Sequence, residues 1–204
     1  IVVPYLGAEP PAGTDAWPDV LAGHVGGALT PERYPFDHPW YVLYSSGTTG
    51  RPKAVQLPPK TIGDSPDLAG FTRHIGAHRM ASLGAHLVIG PLYHNGPLTS
   101  VRLLLAGVPV VVHGRFDAEA TLRAIEEHGI ESSIMVPTHF VRMLGLDPGV
   151  RARYDVSSLR IVSHTGGACP VDVKRAMIEW WGPVLSESYG GTESGTVCSI
   201  NSTD

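Results

Sequence analysis

Hydroxyl side chains, glycines and one lysine are concentrated in residues 45–53, a segment that reads SSGTTGRPK and is called the phosphate loop below. Its hydroxyl donors and glycines are Ser45, Ser46, Gly47, Thr48, Thr49 and Gly50. The glycines allow backbone N–H groups to turn toward an anion, and the hydroxyls add further donors. Lys53 adds a positive charge at the end of the segment. This combination predicts that the segment binds a polyphosphate.

The spacing excludes the P-loop of kinases and ATPases. That motif needs G-x-x-x-x-G-K-[ST], whereas Gly47 and Gly50 are three residues apart and Pro52 precedes Lys53. Ala54 stands where a P-loop has its magnesium-binding hydroxyl. The alternative is a solvated linker rich in serine, threonine and glycine. The apolar runs 40–44 and 54–57 instead predict two short strands that flank the loop as a hairpin.

Residues 45–55, SSGTTGRPKAV, resemble the phosphate-loop signature of the adenylate-forming superfamily, which includes acyl-CoA synthetases, luciferases and the adenylation domains of peptide synthetases. That family usually has glycine where this chain has Ala54, which is a small change because alanine still keeps the backbone close to its neighbours. The resemblance implies that Ser45–Lys53 holds the β- and γ-phosphates of ATP.

Residues 189–195, YGGTESG, look like the Tyr-Gly-x-Thr-Glu motif of the same family. Tyr189, followed by Gly190, offers a ring face on which adenine can stack. Thr192 offers a hydroxyl for the α-phosphate, and Glu193 offers a hard oxygen ligand for Mg²⁺ that bridges phosphates. The alternative is an ordinary Tyr-Gly turn with an exposed glutamate.

Two further segments resemble family motifs. The apolar run 85–89 leads to LYHNG at 92–96, which is similar to the motif at the mouth of the acyl pocket, and the resemblance implies that His94 lines the carboxylate site and gates access to it. The segment Gly166, Gly167 and Ala168 matches one that runs between the acyl pocket and adenine. Without the resemblance, His94 reads as a polar residue at a strand end and Gly166–Ala168 as a strand-to-helix turn.

Strands and helices alternate after residue 85, and this predicts an α/β fold whose mainly parallel sheet has βαβ crossovers covered by helices. The predicted strands are 108–112, 132–136, 159–162 and 184–188. A helical face of Leu98, Val101, Leu104 and Leu105 precedes the first of them, and later helices are opened by Asp117, Thr138 and Pro170. Ligand sites are expected at the carboxyl ends of the strands, where the motifs above fall.

Composition narrows the class of protein. The 204 residues, 43% of them hydrophobic, suffice for one sizeable domain. A net charge of -4 with scattered basic residues gives no reason to expect a nucleic acid partner. No apolar run approaches the ~20 residues that cross a bilayer. Two cysteines without a C-x-x-C pattern fit a reducing cytoplasm. His74 and His78 are four residues apart and would share a helical face if that segment is helical.

The resemblance implies a reaction in two steps: a carboxylate attacks the α-phosphate of ATP to give an acyl adenylate, and the thiol of coenzyme A then displaces AMP. Positioning and charge stabilisation then carry the chemistry, without a covalent enzyme intermediate. His94, Thr192 and Glu193 are the expected catalytic residues. A fatty acid is expected rather than an amino acid, because no acidic residue stands near Tyr93 and His94 to pair with a substrate ammonium. The apolar residues Leu92, Leu98, 103–105 and 108–112 suit an alkyl chain, and they would serve equally as core.

The resemblance also implies parts that residues 1–204 do not contain: the family's start, its ribose-binding Asp, its hinge and its C-terminal domain with the catalytic lysine. We therefore expect residues 1–204 to be the central part of a large adenylation domain with very low activity of its own. Three alternatives remain: an adenylation domain that loads a carrier protein, an enzyme that stops at the adenylate, and a non-catalytic nucleotide-binding module. The oligomeric state is not predicted.

Overall fold

A computed structural model describes residue 22 and residues 42–45, 50–56 and 67–203 of the chain. The chain divides into two compact units, Ile1–Pro35 and Phe36–Asp204. Apart from residue 22, the first unit lies outside the described residues. The sequence at 15–21 is weakly helical in pattern, and this stays a prediction. The three prolines and one glycine of residues 58–67 predict an extended connection, and of this segment only Asp67 is among the described residues.

Eight strands and six α-helices occur among the described residues. The strands are β1 (Val42–Ser45), β2 (Lys53–Gln56), β3 (His86–Val88), β4 (Val110–Val112), β5 (Ser132–Met135), β6 (Ile161–His164), β7 (Leu185–Gly191) and β8 (Gly195–Asn201). The helices are α1 (Leu68–Gly76), α2 (Asn95–Ser100), α3 (Ala118–His128), α4 (Pro137–Leu144), α5 (Pro148–Arg151) and α6 (Val171–Trp181), with 3₁₀ turns at Arg79–Ser82 and Val101–Ala106.

The main sheet has six strands in the order β4-β3-β5-β6-β7-β8. The first five strands run parallel to one another, and β8 pairs antiparallel with β7. Parallel neighbours require crossover connections, and helices α3, α4 and α6 lie in these crossovers. The predicted α/β fold with a mainly parallel sheet is therefore confirmed. The predicted hairpin of β1 and β2 forms a separate two-stranded antiparallel sheet.

Alternate residues of the central strands pack into two hydrophobic clusters. Met135 of β5 and Val162 of β6 belong to the larger cluster, which also contains Leu122 and Ile125 of α3. Their strand neighbours Ile134 and Ile161 pack against a smaller cluster of Met80, Leu103 and Val108. Because successive strand residues point to opposite faces, the two clusters cover the two faces of the sheet.

Several predicted boundaries and faces are corrected. Helix α4 begins at Pro137 rather than at Thr138, since proline is well suited to the first helical position. Strand β6 begins two residues after Leu159. Leu104 and Leu105 are exposed while Leu103 is buried, because Val101–Ala106 is a 3₁₀ helix with three residues per turn. The predicted face of 98–105 is therefore wrong.

Two further corrections concern the sheet edge and the histidines. The sequence predicts a strand over 108–112, and its continuous β-branched run is of the kind buried in a parallel sheet, but β4 covers only Val110–Val112 at the sheet edge, where Val112 is 49% exposed. Helix α1 ends at Gly76, so His78 lies beyond it and does not share a helical face with His74. Within the described ranges, no helix is long and apolar enough to cross a membrane.

Asp117 caps helix α3, as its position before the apolar pattern predicts. Its Oδ1 accepts a hydrogen bond of 2.8 Å from the backbone N–H of Ala120. We expect Asp117→Ala to lower the free energy of unfolding by about 1 kcal/mol, because one N–H of the first turn loses its acceptor. Urea unfolding measures the change. Asp117→Asn keeps the acceptor oxygen and serves as the control, so an equal loss in both variants would contradict this role.

Candidate active site

A cavity of about 360 Å³, called the polar cavity below, opens at the carboxyl ends of β5, β6 and β7. Its walls carry hydroxyl and amide side chains: Asn95, Ser163, Thr165, Ser188, Thr192 and Thr196. Ser163 and Thr165 are two residues apart and therefore project to one face, where Ile134 also lies. His164 between them is fully buried on the other face, where its ring meets Phe140 edge-on at 5.3 Å.

The β7–β8 hairpin carries the Tyr-Gly-Gly-Thr-Glu segment along this cavity. Strand β7 continues to Gly191, so Tyr189 and Gly190 lie within the strand rather than after it, because β8 pairs with them. A register shift between Tyr189 and Gly190 brings the backbone of Gly195 very close. A Cβ added to Gly190 would lie 2.0 Å from the carbonyl oxygen of Gly195. Only glycine fits at position 190.

Tyr189 and Thr192 are presented differently on this hairpin. The Tyr189 side chain is 72% exposed, so one face of its ring can receive a planar group. Thr192 is half-buried and lines the polar cavity together with Gly190 and Gly191. This arrangement fits a nucleotide whose base stacks on the ring while its phosphates face the threonine hydroxyl.

Glu193 connects the hairpin to the phosphate loop. The Ser45 hydroxyl, at the end of β1, donates a hydrogen bond of 3.3 Å to Oε1 of Glu193. These residues are 148 positions apart in the sequence. The fold brings Ser45, the first residue of the phosphate loop, to Glu193, the acidic residue of the Tyr-Gly-Gly-Thr-Glu segment. An exposed carboxylate beside a hydroxyl is a hard-oxygen donor set, which is the chemistry that Mg²⁺ prefers.

The described residues offer Mg²⁺ few protein ligands. Across 42–45, 50–56 and 67–203, no three His, Cys, Asp or Glu side chains gather into a possible metal site. Mg²⁺ commonly binds through one or two carboxylates, with substrate phosphates and water completing its coordination. Glu193, an exposed carboxylate beside the Ser45 hydroxyl, fits this mode of Mg²⁺ binding.

The rest of the phosphate loop is described only in part. Ser46, Gly47, Thr48 and Thr49 lie outside the described residues, so their role in phosphate binding stays a prediction. Gly50 has a positive φ of 79° and follows them in the turn. Lys53 is exposed at the start of β2, and its Cα pairs with that of Ser45. The lysine and the Glu193-bound serine thus lie at the same end of the hairpin.

A second cavity, of about 380 Å³ and here called the apolar cavity, adjoins the first. Most of its walls are apolar: Gly90, Pro91, Pro97, Ile134, Met135 and Val136. His94 lines it and is exposed, with its ring 4.7 Å from that of Tyr93. The apolar residues named in the sequence at 103–105 and 108–112 do not line this cavity.

Gly96, Ile134, Thr165 and Gly166 line both cavities, which therefore share a wall. Gly166 adopts a φ of 80° at the turn between β6 and α6, a conformation that favours glycine. Gly167 and Ala168 follow it as exposed residues and line neither cavity. A ligand group in the apolar cavity can thus meet one in the polar cavity at Gly166.

His139 also lines the apolar cavity, and the sequence did not single it out. Its Nδ1 accepts a hydrogen bond of 3.3 Å from the backbone N–H of Val136 at the start of α4. Its ring stacks on Phe116 with centroids 4.3 Å apart. Burial, together with the nearby Arg142 guanidinium, lowers the pKa of His139 from 6.5 to about 4.

Other cavity residues could have been found from the pattern of the strands. Ser163 follows the strand predicted at 159–162 and Ser188 ends the strand predicted at 184–188, and the carboxyl-end rule places ligands there. Because successive side chains of a strand point to opposite faces, Ser163 and Thr165 would share one face and His164 would lie on the other. Thr196 was missed because no strand was predicted after the Tyr-Gly-Gly-Thr-Glu segment, although the β-branched residues within 196–200 indicate one.

The chain is similar to known proteins in sequence and in fold. The family described as "AMP-binding enzyme" matches residues 6–204. Indoleacetate–CoA ligase of Aromatoleum aromaticum is 32% identical over 158 residues, which cover 76% of this chain and 29% of that protein. 4-Coumarate–CoA ligase 2 of Oryza sativa subsp. japonica is 33% identical over 198 residues, which cover 89% of this chain and 32% of that protein.

The fold is similar to that of o-succinylbenzoate coenzyme A synthetase from Bacillus subtilis, whose structure was solved in complex with ATP and magnesium ion. The TM-score is 0.67 at 23% sequence identity, and the match covers 83% of this chain and 34% of that one. The chain thus spans about a third of the length of these relatives.

Proposed function

The chain belongs to the family of AMP-binding enzymes, and from that premise we propose that the protein activates an aromatic carboxylic acid with ATP and transfers the acyl group to coenzyme A. The observation that carries the proposal is the wall shared by the two cavities. The polar cavity suits the phosphates of ATP, and the apolar cavity suits the body of an acid. The carboxylate and the α-phosphate would meet where the cavities adjoin.

The residues of this chain would divide the work of the first step. Tyr189 would stack on adenine, and the Thr192 hydroxyl would donate to the α-phosphate. Lys53 and the phosphate loop would hold the β- and γ-phosphates. Glu193 would hold Mg²⁺, which when bound neutralises phosphate charge. His94 would orient the carboxylate at the mouth of the apolar cavity.

The class of acid rests on the relatives and on the shape of the cavity. Indoleacetate and 4-coumarate, the acids in the relatives' names, are aromatic. The walls formed by Pro91, Pro97 and Ile134 are apolar and stiff, which suits a flat ring. This proposal replaces the fatty acid expected from the sequence, since the apolar residues that suggested an alkyl chain lie elsewhere.

Exchange of pyrophosphate into ATP tests the adenylation step, with the product of the complete reading frame as the enzyme. We expect exchange that requires Mg²⁺ and an added aromatic acid, followed by thioester formation when coenzyme A is supplied. Hexanoate and hexadecanoate are the comparison acids. Exchange with neither class would overturn the proposed activity, and exchange with the alkyl acids alone would overturn the substrate class.

A further inference from the structure

We infer that His139 selects acids that carry a hydrogen-bond acceptor on the body of the molecule, apart from the reacting carboxylate. The inference rests on the proposed function, because it concerns the occupant of the apolar cavity. It assigns to His139 a donor role in specificity, and it assigns to the substrate a polar substituent such as a ring hydroxyl.

The hydrogen bond at the start of α4 decides which ring nitrogen carries the proton. Nδ1 of His139 accepts from the Val136 N–H, so its lone pair is engaged and it holds no proton. The ring is neutral at neutral pH, because its pKa of about 4 lies far below. A neutral imidazole that is unprotonated at Nδ1 carries its proton at Nε2. His139 therefore presents one N–H donor.

The surroundings hold this donor in place without satisfying it. Phe116 stacks on the His139 ring at an interplanar angle of 22°, and the Arg142 guanidinium lies 6.0 Å from the centre of the Phe116 ring. Within the described part of the chain, no acceptor is hydrogen-bonded to Nε2 of His139. The hydrogen bond from Val136 and the stacking on Phe116 thus fix the His139 ring, while its Nε2–H remains available to a ligand.

The cavity makes that donor selective. Its walls are mostly apolar, with His94 and Thr165 as its other polar side chains. We assign His94 and Thr165 to the reacting end of the acid, because His94 belongs to the motif at the pocket mouth and Thr165 also lines the polar cavity. If the bound acid has no second acceptor, the Nε2–H of His139 is buried without a partner. The free-energy cost of such an unpaired donor exceeds the net contribution of an average hydrogen bond.

Paired substrates test the inference. The wild-type enzyme is assayed by pyrophosphate exchange with cinnamate, the three monohydroxycinnamates and the corresponding methylcinnamates. We expect at least one hydroxy acid to exceed both cinnamate and its methyl analogue by about 10-fold in kcat/KM, the value of one good hydrogen bond. Equal or lower kcat/KM for all hydroxy acids would overturn the inference, although adenylation itself proceeds. No exchange with any acid would instead be the failure of the proposed function.

Two variants then assign the preference to His139. His139→Phe keeps a ring against Phe116 but has no donor, and we expect the hydroxy-to-methyl ratio of kcat/KM to fall to about 1. His139→Gln can accept from Val136 in the way that glutamine does in a capping box and still donate from its amide, so we expect most of the ratio to remain. A merely structural role would lower kcat/KM for both acids alike. An unchanged ratio in His139→Phe would overturn the inference, and the wild-type comparison stands even if that variant does not fold.

Discussion

Glu193→Gln should lower the rate of pyrophosphate exchange by about 100-fold, the scale of loss expected when one preorganised electrostatic group is removed from a reacting site. The substitution keeps the size and one oxygen of the side chain, so the Ser45 hydroxyl retains an acceptor. It removes the negative charge that favours a divalent cation. We therefore also expect a higher Mg²⁺ concentration for half-maximal exchange.

Glu127→Gln is the matched control for this experiment. Glu127 is an exposed glutamate of α3, a helix that packs on the sheet face opposite the polar cavity. The same chemical change there should leave both the rate and the Mg²⁺ requirement unaltered. An exchange rate in Glu193→Gln within 3-fold of the wild-type rate, at the same Mg²⁺ requirement, would show that Glu193 does not hold the metal ion.

The sequence predicted best the features that local chemistry decides. Asp117 caps α3 because a short carboxylate placed just before a helical apolar pattern can accept a hydrogen bond from a backbone N–H of the first turn. The parallel sheet follows from strands that alternate with helices, and the motifs stand at its carboxyl ends for the same reason. The flanks of the phosphate loop form a hairpin because both runs are short and separated by glycines.

Features that depend on distant partners were not predictable from the sequence. The exposure of Leu104 and Leu105 follows from a 3₁₀ turn whose period the apolar spacing did not reveal. Strand β7 extends through Tyr189 because β8 supplies a pairing partner, which the pattern of residues 184–188 alone does not show. His139 belongs to the cavity through the start of α4, which the sequence predicts to within one residue, and through its stacking on Phe116, which leaves no sequence signal.

The backbones of Gly190 and Gly195 approach each other closely, and this contact governs the geometry of the β7–β8 hairpin. Gly190 lies between Tyr189 and the Thr192–Glu193 pair, so its position sets the separation of three proposed nucleotide contacts. Register shifts of this kind re-aim a strand next to a site. The glycine is thus needed at position 190 for space rather than for a positive φ.

Gly190→Ala should reduce pyrophosphate exchange by about 100-fold and destabilise the β7–β8 hairpin by about 1–3 kcal/mol. The new Cβ would lie 2.0 Å from the Gly195 carbonyl oxygen, and since both groups belong to the backbone, the strands must separate to admit it. Gly191→Ala is the control, because its Cβ would meet nothing nearer than the Ser194 hydroxyl at 3.5 Å. Urea unfolding and exchange assays on both variants separate the two effects. If the alanine at 190 were tolerated as well as that at 191, the close approach would not be what positions the nucleotide contacts.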